Sequence, residues 1–475
     1  MQVYPMYIDG RPLTLSAQRE VINPATGEAF ATVSEAGAAE VDLAVAAARR
    51  AFPAWRDLAD SARQQAVNHL AEVLEGAMPE LMELVTLETG KPLHGLNQVG
   101  AGMEVGGAIA WTRATAALSL PVEVVQDNAE ARIEIHRRPL GVVASITPWN
   151  WPLMIAIWHI MPALRAGNAV LIKPSELTPV ATARFVELAN AVLPPGVLNL
   201  VTGGAEVGAA IASHAGIDKI VFTGSTATGR RIMASAAGNL KRLTLELGGN
   251  DAAIVLPDVD PQAIAPQLFA AAFHNNGQTC ACLKRLYVHR SQYAEVCAAL
   301  ADLARAAVVG DGLAVETQLG PLQNPAQLAV VASLAADARA QGGVILAGGE
   351  RLARPGYFYA PTIVSGLGNG SRLVDEEQFG PILPVIAYDD IDEAIRLAND
   401  SPNGLGGSVW SDDPTHAADI ATRLECGSAW VNTHGAIQPD APFGGVKQSG
   451  IGVEFGVHGL TEYTSIQTLK IMKKS

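Results

Sequence analysis

The chain has 475 residues, 49% of them hydrophobic, with 46 Gly and 28 Pro; that is too long for one hydrophobic core and enough for two or three turn-rich domains. A formal net charge of −14 argues against nucleic acid and anionic membrane surfaces as partners, and the most apolar stretch, residues 151–164, is interrupted by Pro152, His159 and Pro162, so it does not read as a membrane span. Four Cys are too few for a disulfide scaffold, and the first ten residues show no basic stretch running into an apolar one, so a reducing, cytoplasmic setting is expected.

Asn23-Pro24-Ala25-Thr26-Gly27-Glu28 reads as a turn between two short strands. Residues 41–52 carry apolar side chains at helical spacing, and Pro53 is expected to end that helix. Residues 61–74 and 78–89 look like two amphipathic helices, the second closed by Gly90 with Pro92 beyond it. Residues 100–117 are rich in Gly and Ala, which permits close helix packing. Residues 120–137 change character: Val122, Val124 and Val125 precede the polar turn Gln126-Asp127-Asn128, and Ile133 and Ile135 then alternate with charges, a hairpin pattern.

From Val142 the chain alternates short apolar runs with helical patterns. Strands are expected at 142–146, 169–173, 197–201 and 219–222, with helices starting at Pro152 and covering 180–193, 207–213 and 226–237. Such βα alternation predicts a doubly wound sheet with ligand at the strands' C-terminal ends. Further strands are expected at 252–256, 286–288 and 343–346, and an alternating strand closes the chain at 463–472.

Chemistry concentrates in four stretches. In Phe273-His274-Asn275-Asn276-Gly277-Gln278-Thr279-Cys280 a thiol ends a polar turn after an apolar helix, and Gly277 would let the backbone swing so that Cys280 stands at its tip. An ordinary thiol, with a pKa of about 8.5, is only a few per cent thiolate at pH 7 yet strongly nucleophilic; a small buried hydrophobe is the plainer reading. Cys282, two positions on, would lie on the same side of an extended segment, about 6–7 Å away and near the limit of disulfide reach. Leu245-Glu246-Leu247-Gly248-Gly249-Asn250 sets one carboxylate between leucines, as a general base whose pKa such an environment raises or as an ordinary strand glutamate facing solvent. Phe222-Thr223-Gly224-Ser225-Thr226 joins a strand to a helix, where Gly224 turns and Ser225 with the helix N–H groups can meet a pyrophosphate; many such junctions bind nothing. Lys173-Pro174-Ser175-Glu176 ends another strand, as a ribose clamp or as a solvated turn. The histidines show no metal-ligand spacing, and no metal is implied.

Together with Pro148-Trp149-Asn150-Trp151-Pro152, the Cys280 and Glu246 stretches resemble the aldehyde dehydrogenase superfamily, and the likeness runs from Tyr7-Ile8-Asp9-Gly10 to the C-terminal segment. The resemblance implies an α/β, aldehyde dehydrogenase-like fold: a Rossmann-type NAD-binding domain over 1–119 and 138–248, an α/β catalytic domain over 249–460, and a small β oligomerisation arm over 120–137 and 461–475. It makes Cys280 the nucleophile, Glu246 the general base and Asn150 an oxyanion donor. It assigns cofactor contacts to Ile146, Trp149, Lys173, Glu176, Gly224, Ser225, Leu247, Glu377 and Phe379, the last two from Glu376-Glu377-Gln378-Phe379-Gly380-Pro381. Glu176 marks NAD over NADP, because a carboxylate accepts from the ribose 2′-OH and repels a 2′-phosphate.

A substrate tunnel would be walled by Trp151, Met154, Ile155, Trp158, Ile437 and Phe443, which suits an apolar or aromatic small-molecule aldehyde. The likeness further implies a homodimer or homotetramer, and the presence of Glu246 favours thioester hydrolysis over transfer to coenzyme A. A coenzyme-A-acylating enzyme and a catalytically idle binding or structural protein are the alternatives. One departure stands out: many hydrolytic members carry Lys where this chain has His159, in a proton relay from the general base to a second Glu that matches Glu454. Asn432 and Lys447, in the closing motifs, read as structural.

Overall fold

The structure, a computed structural model, describes residues 1–473. Its architecture is α/β and rests on two large sheets. The first runs in space Gly450–Ile451, Arg242–Glu246, Lys219–Thr223, Val142–Ile146, Ala169–Lys173, Leu198–Leu200, Met6–Ile8, Arg11–Leu13. Its five central strands are parallel. They are apolar on both faces because helices cover both: Val143, Val170, Ile172 and Val221 enter one core, and Val142, Ala144, Leu171 and Ile220 the other. The chain lays down Val142–Ile146 first and builds outwards through Ala169–Lys173 and Leu198–Leu200. It then returns to the other side for Lys219–Thr223 and Arg242–Glu246. The connections after Val142–Ile146 and Lys219–Thr223 therefore leave in opposite directions, and a crevice opens between them at the strands' C-terminal ends.

The second sheet runs Val344–Ala347, Thr362–Ser365, Ile382–Tyr388, Leu283–His289, Asp251–Val255, Gly406–Trp410, Ser428–Val431, parallel throughout except at the Val344–Ala347 edge. Leu247 to Asn250 cross from the last central strand of the first sheet to a central strand of the second. Glu246 thus ends a strand of one sheet, while Cys280 lies just before Leu283–His289 of the other. Gly450–Ile451 closes back onto Arg242–Glu246, so the late chain also edges the first sheet.

A separate antiparallel sheet joins Glu123–Asp127, Ala131–Pro139 and Thr464–Met472. Its hairpin turns on Asn128, whose Oδ1 accepts from the backbone N–H groups of Glu130 and Ala131.

Most of the expected elements form. The helix expected to stop before Pro53 does not: it spans Ala38–Arg56 with Pro53 inside. Its last turn is anchored by Trp55, fully enclosed, with its indole N–H donating to the Leu164 carbonyl at 3.1 Å. That tertiary contact outweighs the backbone hydrogen bond a proline cannot make. Thr362–Ser365, Ile382–Tyr388 and Gly406–Trp410 were not foreseen. Gly406 and Gly407 begin one of them because a Cβ on Gly406 would lie 2.6 Å from the Trp430 ring, a demand set by the neighbouring strand.

Candidate active site

The helix Pro261–Phe273 runs into a tight turn, His274–Gly277, in which Asn275, Asn276 and Gly277 all have positive φ (50°, 57° and 72°). Two consecutive left-handed asparagines are costly. Asn275 is held there by its Nδ2, which donates to the carbonyls of Asn150 at 3.0 Å and Gln278 at 3.1 Å. A Cβ on Gly277 would lie 2.3 Å from the Gly380 carbonyl oxygen, and one on Gly249 would lie 2.6 Å from that of Cys280. The turn that carries Cys280 is thus seated by close backbone contact, which only glycine permits. Cys280 does not stand at an exposed tip; it is half-buried among Trp151, Phe443 and their neighbours.

Residues 280–282 form a turn, not an extended segment. Cys282 faces the His274 ring, Sγ to Nε2 3.7 Å, whereas the Cys280 thiol meets the Glu246 carboxyl. The same-side geometry expected for a Cys280–Cys282 bridge is therefore absent.

Burial first, and the Glu246 charge second, push the Cys280 thiol well above its ordinary range, while the Lys284 ammonium pulls it back. Burial also holds Glu246 well above the usual carboxylate range, with Glu454 adding to it and the contact with Cys280 opposing. Glu246 is 4% exposed and its Oε1 has no hydrogen-bond partner. The Glu246 charge raises the cost of ionising the thiol while the contact with Cys280 favours the carboxylate, and two groups so placed can pass a proton between them.

Behind Glu246 lies Glu454, 4% exposed, with neither oxygen in a hydrogen bond. His159, on the helix Pro152–Arg165, is fully enclosed. Its Nδ1 is 2.9 Å from Ser145 Oγ, and its Nε2 is 3.1 Å from both Thr223 Oγ1 and Glu454 Oε1, the last poorly aligned for a hydrogen bond.

Asn150 lies in the loop after Val142–Ile146. Its Nδ2 donates one hydrogen bond, at 3.0 Å, to the Gln278 carbonyl and has a second N–H left. The Asn150 carbonyl accepts from Lys91 Nζ at 3.0 Å. Lys91 pairs with Glu104, both side chains enclosed, and Glu104 Oε1 accepts from the N–H groups of Leu153 (3.0 Å) and Met154 (3.3 Å) in the first turn of the following helix. Lys91 Nζ also sits 3.2 Å from the Trp151 ring centroid, and burial lowers its pKa to about 8. This brace was not recognised in the sequence; the signal available was a Lys between Gly90 and Pro92 at a helix end.

A cleft of about 330 Å³ opens at the switch point. Cys280, Glu246 and Asn150 line it together with Trp149, Gly224, Ser225, Leu247, Glu377 and Phe379. Ile146, Lys173 and Glu176 do not line it: Ile146 is buried at its strand end, and Lys173 and Glu176 sit at the end of the next strand, Nζ to Oε2 3.7 Å. Gln327 and Val330 also line the cleft and carry no sequence motif. Ser225 caps the helix Thr226–Ala236. The Trp149 and Phe379 rings meet edge to face at 5.3 Å. Glu377 Oε1 accepts from Gly249 N–H at 3.1 Å and Lys284 at 2.7 Å, while its Oε2 is in no hydrogen bond among the described residues.

Trp151, Met154, Ile155, Trp158, Ile437 and Phe443 gather in one apolar cluster against Cys280, joined by Trp111, Phe455, Leu405 and Trp430. Trp158 and Phe455 meet edge to face at 4.7 Å. Asn432 is tied to the Ser411 backbone and Lys447 to the carbonyls of Asn399 and Ser401. No group of three or more metal-ligating side chains occurs among the described residues, and none of their helices is long and apolar enough to cross a membrane.

The sequence profile of the aldehyde dehydrogenase family matches residues 14–469. The phenylacetaldehyde dehydrogenase of Pseudomonas fluorescens is 40% identical over 483 aligned positions, covering 98% of this chain and 96% of that protein. The betaine aldehyde dehydrogenase of Bacillus subtilis is 38% identical, covering 97% and 96%. The solved NAD+ complex of an aldehyde dehydrogenase from Bacillus cereus superposes with a TM-score of 0.96 at 35% identity, over 99% of this chain and 97% of that one.

Proposed function

The chain belongs to the aldehyde dehydrogenase family, and on that premise we propose that it oxidises an aldehyde to its carboxylic acid through a Cys280 thioester hydrolysed by Glu246, with NAD as cofactor. The observation that carries this reading is the single cleft lined by Cys280, Glu246, Asn150, Glu377 and Phe379.

The donor set suits NAD. Ser225 and the N–H groups opening Thr226–Ala236 would meet its pyrophosphate, and Glu377 Oε2 would offer an unused acceptor to a ribose hydroxyl. Glu176, outside the cleft, would favour NAD over NADP from the far ribose. NAD, when bound, supplies the hydride acceptor.

The protein's own residues do the rest. Cys280 attacks the carbonyl as the thiolate, its proton having passed to solvent before the aldehyde binds. The oxyanion is met by the second N–H of Asn150 Nδ2 and the Cys280 backbone N–H, one such donor being worth about 3 kcal/mol. After hydride loss Cys280 carries the acyl group as a thioester. Glu246, its pKa raised by burial, then takes a proton from the attacking water, a role commonly worth ~10²–10⁴-fold. His159 and Glu454 carry that proton away.

An apolar or aromatic aldehyde fits the apolar cluster around Trp151, Trp158 and Phe443. The two sheets and the arm support a domain division near 119, 137, 248 and 460, with Ala131–Pro139 running two residues past 137 and Gly450–Ile451 edging the first sheet. On the arm strand Ile466 is exposed on one face and Leu469 and Ile471 on the other, surface that a second copy of the chain would cover, as homodimer or homotetramer. All four Cys are free, as in a reducing, cytoplasmic setting. The test is NADH absorbance with a panel of aliphatic, aromatic and charged aldehydes, with product analysis in the presence and absence of coenzyme A. Acid without coenzyme A supports the reading; acyl-CoA as the obligate product overturns it.

A further inference from the structure

Four residues beyond Cys280, at the start of Leu283–His289, the chain buries a lysine. Lys284 is 3% exposed, and each of its three ammonium hydrogens has an acceptor: the Cys280 carbonyl at 2.8 Å, the Gly249 carbonyl at 2.9 Å and Glu377 Oε1 at 2.7 Å. These acceptors come from three separate stretches: the nucleophile turn, the crossover after Glu246, and the segment before Ile382–Tyr388. The next residue, Arg285, points the other way and is spent on the carbonyls of Asn250 and Ala398. A buried ammonium costs several kcal/mol in desolvation unless fully paired, and a packing role alone would be filled more cheaply by Leu or Met.

We propose that Lys284 is a positioning residue of the thioester cycle: its ammonium clamps the Cys280 backbone to Gly249 and to the cofactor-facing Glu377, and supplies the positive charge that lets Cys280 ionise in an apolar site. This rests on the reading of Cys280 as nucleophile.

The charges around the thiol support it. From the strand Arg242–Glu246 comes Glu246, backed by Glu454; from the segment before Ile382–Tyr388 comes Glu377; from Asp251–Val255 comes Asp251. All are acidic, and Lys284 is the cation that offsets burial and Glu246 at the thiol. Lys91, the other buried lysine nearby, bears on His274 and is matched by Glu104. The same ammonium neutralises Glu377 Oε1 and leaves Oε2 for a ligand, so one side chain links cofactor capture to thiol reactivity.

The test is the pH profile of Cys280 alkylation by iodoacetamide in the protein without cofactor, read by mass spectrometry of the Cys280 peptide. Lys284→Met and Lys284→Gln should move the midpoint up by at least one pH unit and slow alkylation at pH 7.5 about tenfold. Lys284→Arg, which keeps the charge, should stay within about half a unit of the parent. Glu377→Gln leaves Lys284 uncompensated and should move the midpoint down, which keeps the test alive if neutral variants at 284 fail to fold. Folded Lys284→Met with the parental midpoint, or Glu377→Gln moving it upwards, overturns the proposal. Alkylation that leaves aldehyde oxidation intact would instead remove Cys280 as nucleophile without touching the Lys284 shift.

Discussion

Replacing Glu246 with Gln separates the two halves of the reaction and carries a sign that the geometry dictates. The carboxyl is 4% exposed, touches the Cys280 thiol and has an unpartnered oxygen. As general base for deacylation it is worth ~10²–10⁴-fold, or about 3–5 kcal/mol. The amide should therefore leave a burst of about one NADH per active site while steady-state turnover falls by that factor. The second effect runs the other way. Two unit charges 4 Å apart interact by about 4 kcal/mol at an effective dielectric of 20, an upper limit of about three pKa units on the thiol. Both the Glu246 charge and its hydrogen bond raise the Cys280 pKa, and burial is untouched by the substitution. The alkylation midpoint of Cys280 should thus fall by one unit or more in Glu246→Gln. Stopped-flow NADH absorbance reads the burst, and iodoacetamide kinetics from pH 6 to 10 read the midpoint. A burst lost in proportion to turnover, or a midpoint that rises, refutes the pairing of these two groups.

Cys280→Ala should abolish aldehyde oxidation and keep cofactor binding by fluorescence, whereas Cys282→Ala, turned to His274, should keep most activity; the reverse pattern would exchange their roles. His159 Nε2 stands 3.1 Å from Glu454 Oε1, so His159→Gln should slow single-turnover acid release while the NADH burst stays; release unchanged in both His159→Lys and His159→Gln would exclude His159 from the relay. Glu176→Gln should narrow the NAD-to-NADP ratio of kcat/KM, and an unchanged ratio removes Glu176 from cofactor choice. Glu88, fully enclosed and accepting from the N–H groups of Val180 and Ala181, is pushed by burial from 4.5 up to about 8. Its folded pKa is raised, so the stability it contributes is full below pH 4.5 and lost as pH rises through 8. The Tm of the parent should therefore fall relative to Glu88→Gln between pH 5 and 8; a constant difference across that window contradicts the burial argument.

The sequence alone determined the parallel core of the first sheet, because Val142–Ile146 and Ala169–Lys173 must be apolar on both faces and so read as unbroken runs. It also put the ligand at the strands' C-terminal ends, and it singled out Cys280 and Glu246, which a glycine turn and flanking leucines mark locally, while Asn150 rested on the family likeness of its Pro-Trp-Asn-Trp-Pro stretch. Tertiary structure decided the rest, for a different reason at each place. Pro53 stays inside its helix because Trp55 is anchored on Leu164, over a hundred residues away. Cys282 turns from Cys280 because the local backbone bends, which alternating side-chain arguments cannot foresee. Lys91 and Lys284 were not singled out in the sequence. Their acceptors, the carbonyls of Asn150, Gly249 and Cys280, are backbone atoms that every residue has, so no residue type announces them. Periodicity reports which face of an element is dry, since burial repeats along the chain with the element's own period. Charge acts through space between segments that the sequence sets far apart, and only their packing shows which carbonyl an ammonium will find.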